Sequence, residues 1–322
     1  MPGARRWFTL FVLALGSATF LYLLGSFGLT RVWGHLCGFG WGFGLVVPFQ
    51  LCDHMLNALG WRFAFPRENA AHVPFWRLVM VRIAGDGVNY LTPSGNIAGE
   101  FVRPAMMGDC APEDVIVSSV FVAKAAQACG QALFVLVGLA WLLQRGLFAF
   151  KGRQAFWASL SMWIIIIGVV IVVWTLITPP RWIRARFPRV IEVTEGLRGN
   201  LRVYLRRPAR LAASTLCFML GYAWGAAEIW LIASLMGLSL TASQVFAVEV
   251  LSNVVDSMFF MVPAKVGTQE AGKTAIFAGL GLPPDIGFMV GLVRHAREIL
   301  WAGAGFSYYA AHQRRAQTAI AR

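Results

Sequence analysis

At 322 residues the chain has the length of two soluble domains, yet 58% of it is hydrophobic and only 13% charged, with a mean hydropathy of +0.63. A soluble domain carries about 25% charged residues, so this chain cannot cover a water-facing surface and its solvent is mostly lipid. That excludes a soluble catalytic domain, a disordered chain, a coiled coil and a secreted disulfide scaffold. The charge is lopsided, 28 Lys+Arg against 15 Asp+Glu, net +13. In an apolar chain this reads as the positive bias of cytoplasmic loops, not as nucleic-acid binding.

Arg5 and Arg6 precede an apolar run over residues 7–27, too long for a signal peptide and without a small-residue cleavage site, so it is a first span. A second span is predicted over residues 33–58. It carries Gly38, Gly40, Gly42 and Gly44, two overlapping GxxxG patterns that would let another helix approach closely. Residues 75–91 are apolar but hold Arg77, Arg82, Asp86 and Asn89. Pro93 breaks the pattern, and residues 96–108 follow with Glu100 and Arg103. Each piece is too short to span, so together they read as a re-entrant hairpin with its tip at Pro93 and Gly95, backbone tolerated at membrane depth only under a cover of protein or water. Spans are predicted at 115–143 and 156–177, then a basic cytoplasmic loop at 178–210. From residue 179 that loop holds nine arginines and two glutamates, net +7, and should lie against anionic lipid headgroups. A span at 211–236 comes next. A second interrupted segment covers 242–262, Pro263 and 264–282, with Gly267 near its tip, and a last span covers 286–309.

The five cysteines (Cys37, Cys52, Cys110, Cys129, Cys217) form no CxxC pair. The His35/Cys37 and Cys52/His54 pairs fall near opposite ends of one helix, so no metal site and no cofactor is expected.

The two interrupted segments match at an offset of 170 residues: Asp86 with Asp256, Pro93 with Pro263, Glu100 with Glu270, Arg103 with Lys273, Lys124 with Arg294, and polar Gln127 with Arg297. Residues 1–143 then form a first repeat and 155–322 a second, within one membrane domain. With the arginine loop inside, the first hairpin opens inside and the second outside, both termini are cytoplasmic, and only the loop at 145–153 carries its cations on the wrong side. The expected fold is therefore all-α and polytopic, an inverted-topology repeat with about six full transmembrane helices and two re-entrant hairpins.

Asn89-Tyr-Leu-Thr-Pro93-Ser-Gly-Asn-Ile-Ala-Gly99-Glu100-Phe-Val-Arg103 resembles the first-half signature of a known family, and Val262-Pro263-Ala-Lys-Val-Gly267-Thr-Gln-Glu270-Ala-Gly272 its second-half signature. The family is the transmembrane region of lysylphosphatidylglycerol synthases, also called flippase-like membrane proteins. Arg294-His-Ala-Arg297-Glu298 and the chain length are similar to its stand-alone branch associated with hopanoid biosynthesis. The resemblance implies lipid translocation in a bacterial cytoplasmic membrane. The glycine-rich stretch usual after Pro263 reads Ala264-Lys265-Val266 here, a departure that bears on the tip conformation.

Ionisable residues at membrane depth default to functional roles. Arg103, Lys273, Lys124, Arg294 and Arg297, with half-helix N-termini, would hold an anionic lipid headgroup. Glu100 and Glu270 would orient those cations or carry a proton, Asp86 and Asp256 would line the preceding half-helices, and Glu298 would be structural. The competing reading makes Glu100/Arg103 and Glu270/Lys273 self-neutralising i,i+3 ion pairs. The leading expectation is a lipid translocator and not an enzyme, since no GxSxG, HExxH or DxD group is present. A partner or regulator of a lipid-synthesis complex and a membrane-embedded enzyme on a lipid-linked substrate are the alternatives.

Overall fold

A computed structural model describes residues 2–92, 98–108, 110–145, 208–259 and 262–320. The predicted span at 156–177, most of the basic loop at 178–210 and the tip residues Pro93 and Gly95 lie outside them. The described residues are helical with no strand. In chain order the helices are α1 (Pro2–Phe27), α2 (Leu29–Phe39), α3 (Gly42–Ala64), α4 (Arg67–Ala70), α5 (Phe75–Leu91), α6 (Ala98–Met107), α7 (Glu113–Gln144), α8 (Pro208–Leu235), α9 (Ala242–Met258), α10 (Thr268–Gly279) and α11 (Pro284–Ile320).

Local chemistry sets several helix starts. Pro112 precedes α7 and Pro284 opens α11, where a missing N–H costs nothing. Glu113, Asp114 and Asp285 in those first turns complement the helix dipole. Thr241 and Gln244 form a reciprocal capping box at α9. The helices α7 and α8 are long and apolar enough to cross a membrane, and α2 with α3 would make a third such span if counted as one. The expectation of an unbroken second span is corrected here: α2 and α3 meet at a bend of 71°. Gly40 between them has φ +38°, a left-handed conformation open to glycine. Among the described residues the GxxxG pattern makes no helix-packing face: a Cβ on Gly38 or Gly44 would meet nothing within 4 Å, and of the four only Gly42 touches another helix, at Leu235.

The half-helices are short, as their sequence implies. α5 and α9 each have 17 residues, α6 has 10 and α10 has 12. At about 1.5 Å per residue none reaches the roughly 30 Å of a bilayer core. α6 runs back along α5, and α9 and α10 pack together likewise.

Two large apolar cores and two smaller clusters form among the described residues. One large core joins Ala58, Trp61, Leu78, Ile83, Met106, Ile116 and Phe218 from α3, α5, α6, α7 and α8. The other joins Val46, Ile229, Ile232, Val248, Phe277 and Val290 from α3, α8, α9, α10 and α11. Helices α3 and α8 pack along each other and serve both cores. Between its two apolar segments α3 carries Gln50, Asp53, His54 and Asn57. Between its own, α8 carries Gly221, Tyr222, Gly225 and Glu228. These interposed polar stretches place a polar cavity between the cores, near the middle of both helices.

Candidate functional site

The cavity has a volume of about 340 Å³. Helix α3 contributes Gln50, Asp53, His54 and Asn57, and α5 contributes Arg82, Asp86, Asn89 and Tyr90. From α7 come Lys124 and Gln127, and from α8 Glu228. Glu249, Asn253 and Asp256 come from α9, Lys265 from the turn after it, and Arg294, Arg297 and Glu298 from α11. Among the described residues the lining therefore has six carboxylates against five cations. A pocket built from cations for an anionic group alone would not have this balance.

Every charge taken out of water needs a partner, and the site supplies them as one chain of contacts. Lys124 Nζ lies 3.0 Å from Glu100 Oε1, and Arg103 joins Glu100 Oε2 at 2.5 Å to Asp86 Oδ1 at 2.6 Å. Arg82 reaches Asp86 at 3.6 Å and donates to Asn57 Oδ1 at 3.3 Å. Asn57 donates to Asp53 at 2.8 Å, and so does Gln50 at 3.0 Å. Arg297 donates to Gln50 Oε1, and its Nη1 lies 2.5 Å from Glu228 Oε1. Arg294 closes the run with Nε 2.9 Å from Glu228 Oε2 and Nη1 2.9 Å from Glu249 Oε2, while donating to the Gly225 carbonyl at 2.5 Å. Both halves of the chain are thus tied through α3 and α8.

Of the residues singled out in the sequence, Asp86, Lys124, Asp256, Arg294 and Arg297 line the cavity. Arg103 and Lys273 do not. Arg103 is 3% exposed and spent as a tie between Glu100 and Asp86, and Lys273 is 2% exposed behind the wall. Glu100 lies off the cavity, on a cleft described below. The i,i+3 pairing holds for Glu100/Arg103 but not for Glu270/Lys273: Glu270 instead meets His295 Nδ1 at 2.5 Å. Glu298 lines the cavity and pairs with Arg297 at 3.4 Å and Lys265 at 3.6 Å.

The half-helix N-termini are not at the cavity either. Residues at the start of α6 and α10 are absent from its lining, and the start of α10 is covered by α1. There Gly267, with φ +74°, lies against the backbone of Gly16. The turn from Pro263 to Lys265 holds Ala264 at φ 52° and Lys265 at φ 53°. Each left-handed L-residue costs about 1–2 kcal/mol. Glycine at these two positions would avoid that cost. Here Lys265 gains Asp256 at 3.4 Å as well as Glu298.

Sequence reasoning missed Asp53, Arg82 as a lining group, Glu228, Glu249, Lys265 and His295. The signal was present for Glu228 and Glu249. Glu228 is the one charged residue in residues 211–235, and Glu249 interrupts an apolar run. The rule that flags a charge at membrane depth applies to unbroken helices as well as to broken ones.

A second recess adjoins the first. It has a volume of about 630 Å³ and runs between α6 and α7, lined by Phe101, Pro104, Ala105, Ile116, Val117, Val120 and Phe121, with Glu100 and Lys124 at one end and Glu113 among its other polar residues. Lys124 lines both spaces.

No curated protein and no solved structure matches the chain. The family profile described as the lysylphosphatidylglycerol synthase TM region matches residues 9–303, nearly the whole length, and this membrane protein belongs to that family.

Proposed function

We propose that the chain is a lipid translocator of a bacterial cytoplasmic membrane, moving a polar or anionic lipid headgroup through the cavity while the acyl chains stay in apolar surroundings. The observation that carries this reading is the junction at Lys124. A charged cavity set between two apolar cores meets an apolar cleft at the Lys124 ammonium group, the residue that both linings share among the described residues. A headgroup and its tails need such a pair of spaces side by side. The balanced lining favours a headgroup with both donors and acceptors over a simple anion. The resemblance to the hopanoid-associated branch makes a hopanoid-type lipid the alternative cargo. On this reading the chain is not an enzyme, and the basic loop at 178–210 rests on anionic lipids.

The test is reconstitution of the purified full-length protein into vesicles doped with fluorescently tagged phosphatidylglycerol, with leaflet exchange read by quenching from outside. Exchange above protein-free vesicles is expected. Lys124→Gln should slow it about tenfold or more, since a charge-assisted hydrogen bond is worth about 1.5–3 kcal/mol. Exchange equal to that of empty vesicles, with tagged phosphatidylglycerol and with a tagged hopanoid alike, would sink the translocator reading.

The inverted repeat belongs to the same proposal. Beyond the 170-residue register, the two hairpins cross in corresponding places. A Cβ on Gly85 would crowd the Arg103 side chain on α6, and a Cβ on Gly272 would lie 2.8 Å from Val255. Val255 is the counterpart of Gly85 in that register and Gly272 that of Val102, next to Arg103, so the close contacts of the two hairpins fall within one residue of each other, which supports the repeat. In a cysteine-free background, single cysteines at Glu68 and at Thr241 are expected to be labelled from opposite faces of the membrane. Labelling of both from one face would contradict the inversion and the cytoplasmic placement of both termini.

A further inference from the structure

The tightest acid–imidazole contact lies just outside the cavity. Glu270 on α10 has a fully buried side chain, and its Oε1 is 2.5 Å from Nδ1 of His295 on α11, whose side chain keeps 12% exposure. The other carboxylate oxygen is buried with no hydrogen-bond partner among the described residues. At that separation a proton must lie between the oxygen and the nitrogen, because two bare lone pairs would repel. The two helices are locked here: a Cβ on Gly291 would lie 2.8 Å from the Glu270 Cα. The His295 ring meets the Tyr90 ring edge-on, with centroids 6.3 Å apart. Tyr90 lines the cavity, and its hydroxyl is buried without a hydrogen-bond partner among the described residues. The acid–imidazole pair is therefore one aromatic ring behind the cavity wall, where the last turn of α5 meets α11.

We propose that Glu270 and His295 form a proton-binding site that exchanges one proton with the cavity past Tyr90. In the unloaded state neutral His295 donates Nδ1–H to the Glu270 carboxylate, and the pair carries one negative charge. Uptake of one proton from water leaves it neutral, either as imidazolium with carboxylate or as an Nε2–H imidazole accepting from a carboxylic acid. No other bond changes. The ionisable neighbours among the described residues include Tyr90 on α5, Asp256 on α9, Lys265 on the turn after it, Lys273 on α10, and Arg294, Arg297 and Glu298 on α11. Helix α1, which packs against α10, has no charged residue between Ala14 and Phe27. Arg294, Arg297, Lys265 and Glu298 are engaged in ion pairs of their own. The Glu270–His295 pair has an unmatched acceptor and, in His295, a partly exposed ring, so it is the place where a proton can come and go. This assignment does not depend on what the cavity carries.

The experiment is a proton-uptake titration of the purified full-length protein in phosphatidylcholine nanodiscs between about pH 5 and pH 8, the range where histidine exchanges its proton, with infrared difference spectra recorded alongside. A coupled pair titrates as a unit. Wild type is expected to take up about one proton per chain more than the double variant Glu270→Gln/His295→Gln, and its carboxyl band should be missing in Glu270→Gln. Equal uptake by wild type and the double variant would overturn the proposal. If the variants fail to fold, nitrogen-15 NMR of histidine-labelled wild type decides. A ring bonded strongly at Nδ1 whose signal moves with pH supports the site, and an Nδ1-bonded ring whose signal does not move with pH excludes it. Neither readout needs lipid movement, so loss of the translocator reading would leave this result standing, and the converse also holds.

Discussion

Replacement of Arg294 by Met should leave little folded protein. Arg294 is 6% exposed and joins Glu228 and Glu249, each at 2.9 Å, while donating to the Gly225 carbonyl. Methionine fills much of the volume, so the loss is electrostatic. Two carboxylates stay buried, Glu249 without its cation and Glu228 with Arg297 alone. Breaking a buried ion pair from one side costs about 3–5 kcal/mol, a large part of the 5–15 kcal/mol by which proteins are typically stable. The thermal midpoint in detergent, read by fluorescence-detected gel filtration, should fall steeply. Adding Glu249→Gln should recover part of the loss, because the orphaned charge is then gone. Arg294→Lys should fall between, since one ammonium cannot fork to both carboxylates. A midpoint for Arg294→Met near that of wild type would mean that water reaches these carboxylates freely.

The second large effect is expected at Gly99. A Cβ there would press on the Gly85 carbonyl and lie 2.8 Å from Asn89 Cγ. The obstacle is backbone, which cannot swing aside, so the arms α5 and α6 would have to part. Their separation would stretch the bond from Gly99 N–H to Asn89 Oδ1, now 2.7 Å, and the Arg103–Asp86 pair at 2.6 Å. Overpacking of this kind costs about 1–3 kcal/mol, so Gly99→Ala should lower the thermal midpoint and Gly99→Val should abolish folding. Gly44→Ala is the control. It adds a methyl where nothing lies within 4 Å, and the gain in helix propensity is up to about 1 kcal/mol. If Gly99→Ala and Gly44→Ala behave alike, the hairpin does not close as described.

The contrast between those two glycines also shows what the sequence could and could not convey. A proline inside an apolar run, with charges on both sides, marks a broken helix by chemistry local to the chain. The interruptions near Pro93 and Pro263 were legible for that reason, and α5 begins and ends as its pattern implied. Partner choice is not local. Glu270 has Lys273 one turn away, yet it meets His295, because α11 packs on α10 closely enough at Gly291 to bring the ring within reach. The bend at Gly40 was invisible because spaced glycines serve equally as a packing face or as a place to turn. Glu228 and Glu249 were overlooked because attention went to broken segments, although a lone acid in an apolar helix makes the same demand. Their pairing with Arg294 and Arg297 follows from tertiary contact between α8, α9 and α11, which no spacing rule encodes.

The reach of the polar chain has a consequence for how the protein is made. Gln50 and Arg297, joined by a hydrogen bond, are 247 residues apart. The ribosome delivers α3 and α5, with Asp53, Arg82 and Asp86, long before α8 brings Glu228, and α11 emerges later still with both arginines that bind it. Until then the acids of α8 and α9 sit in an unfinished bundle without their guanidinium partners, a costly state in a low-dielectric medium. Early helices must therefore wait at the insertion site, remain hydrated or be held by an insertase or chaperone, and the nascent chain cannot settle segment by segment in order of synthesis. Arrival of α11 is then the event that locks the assembly, so a protein truncated before α11 is expected to be a substrate for membrane proteases, not a smaller working version of the same molecule.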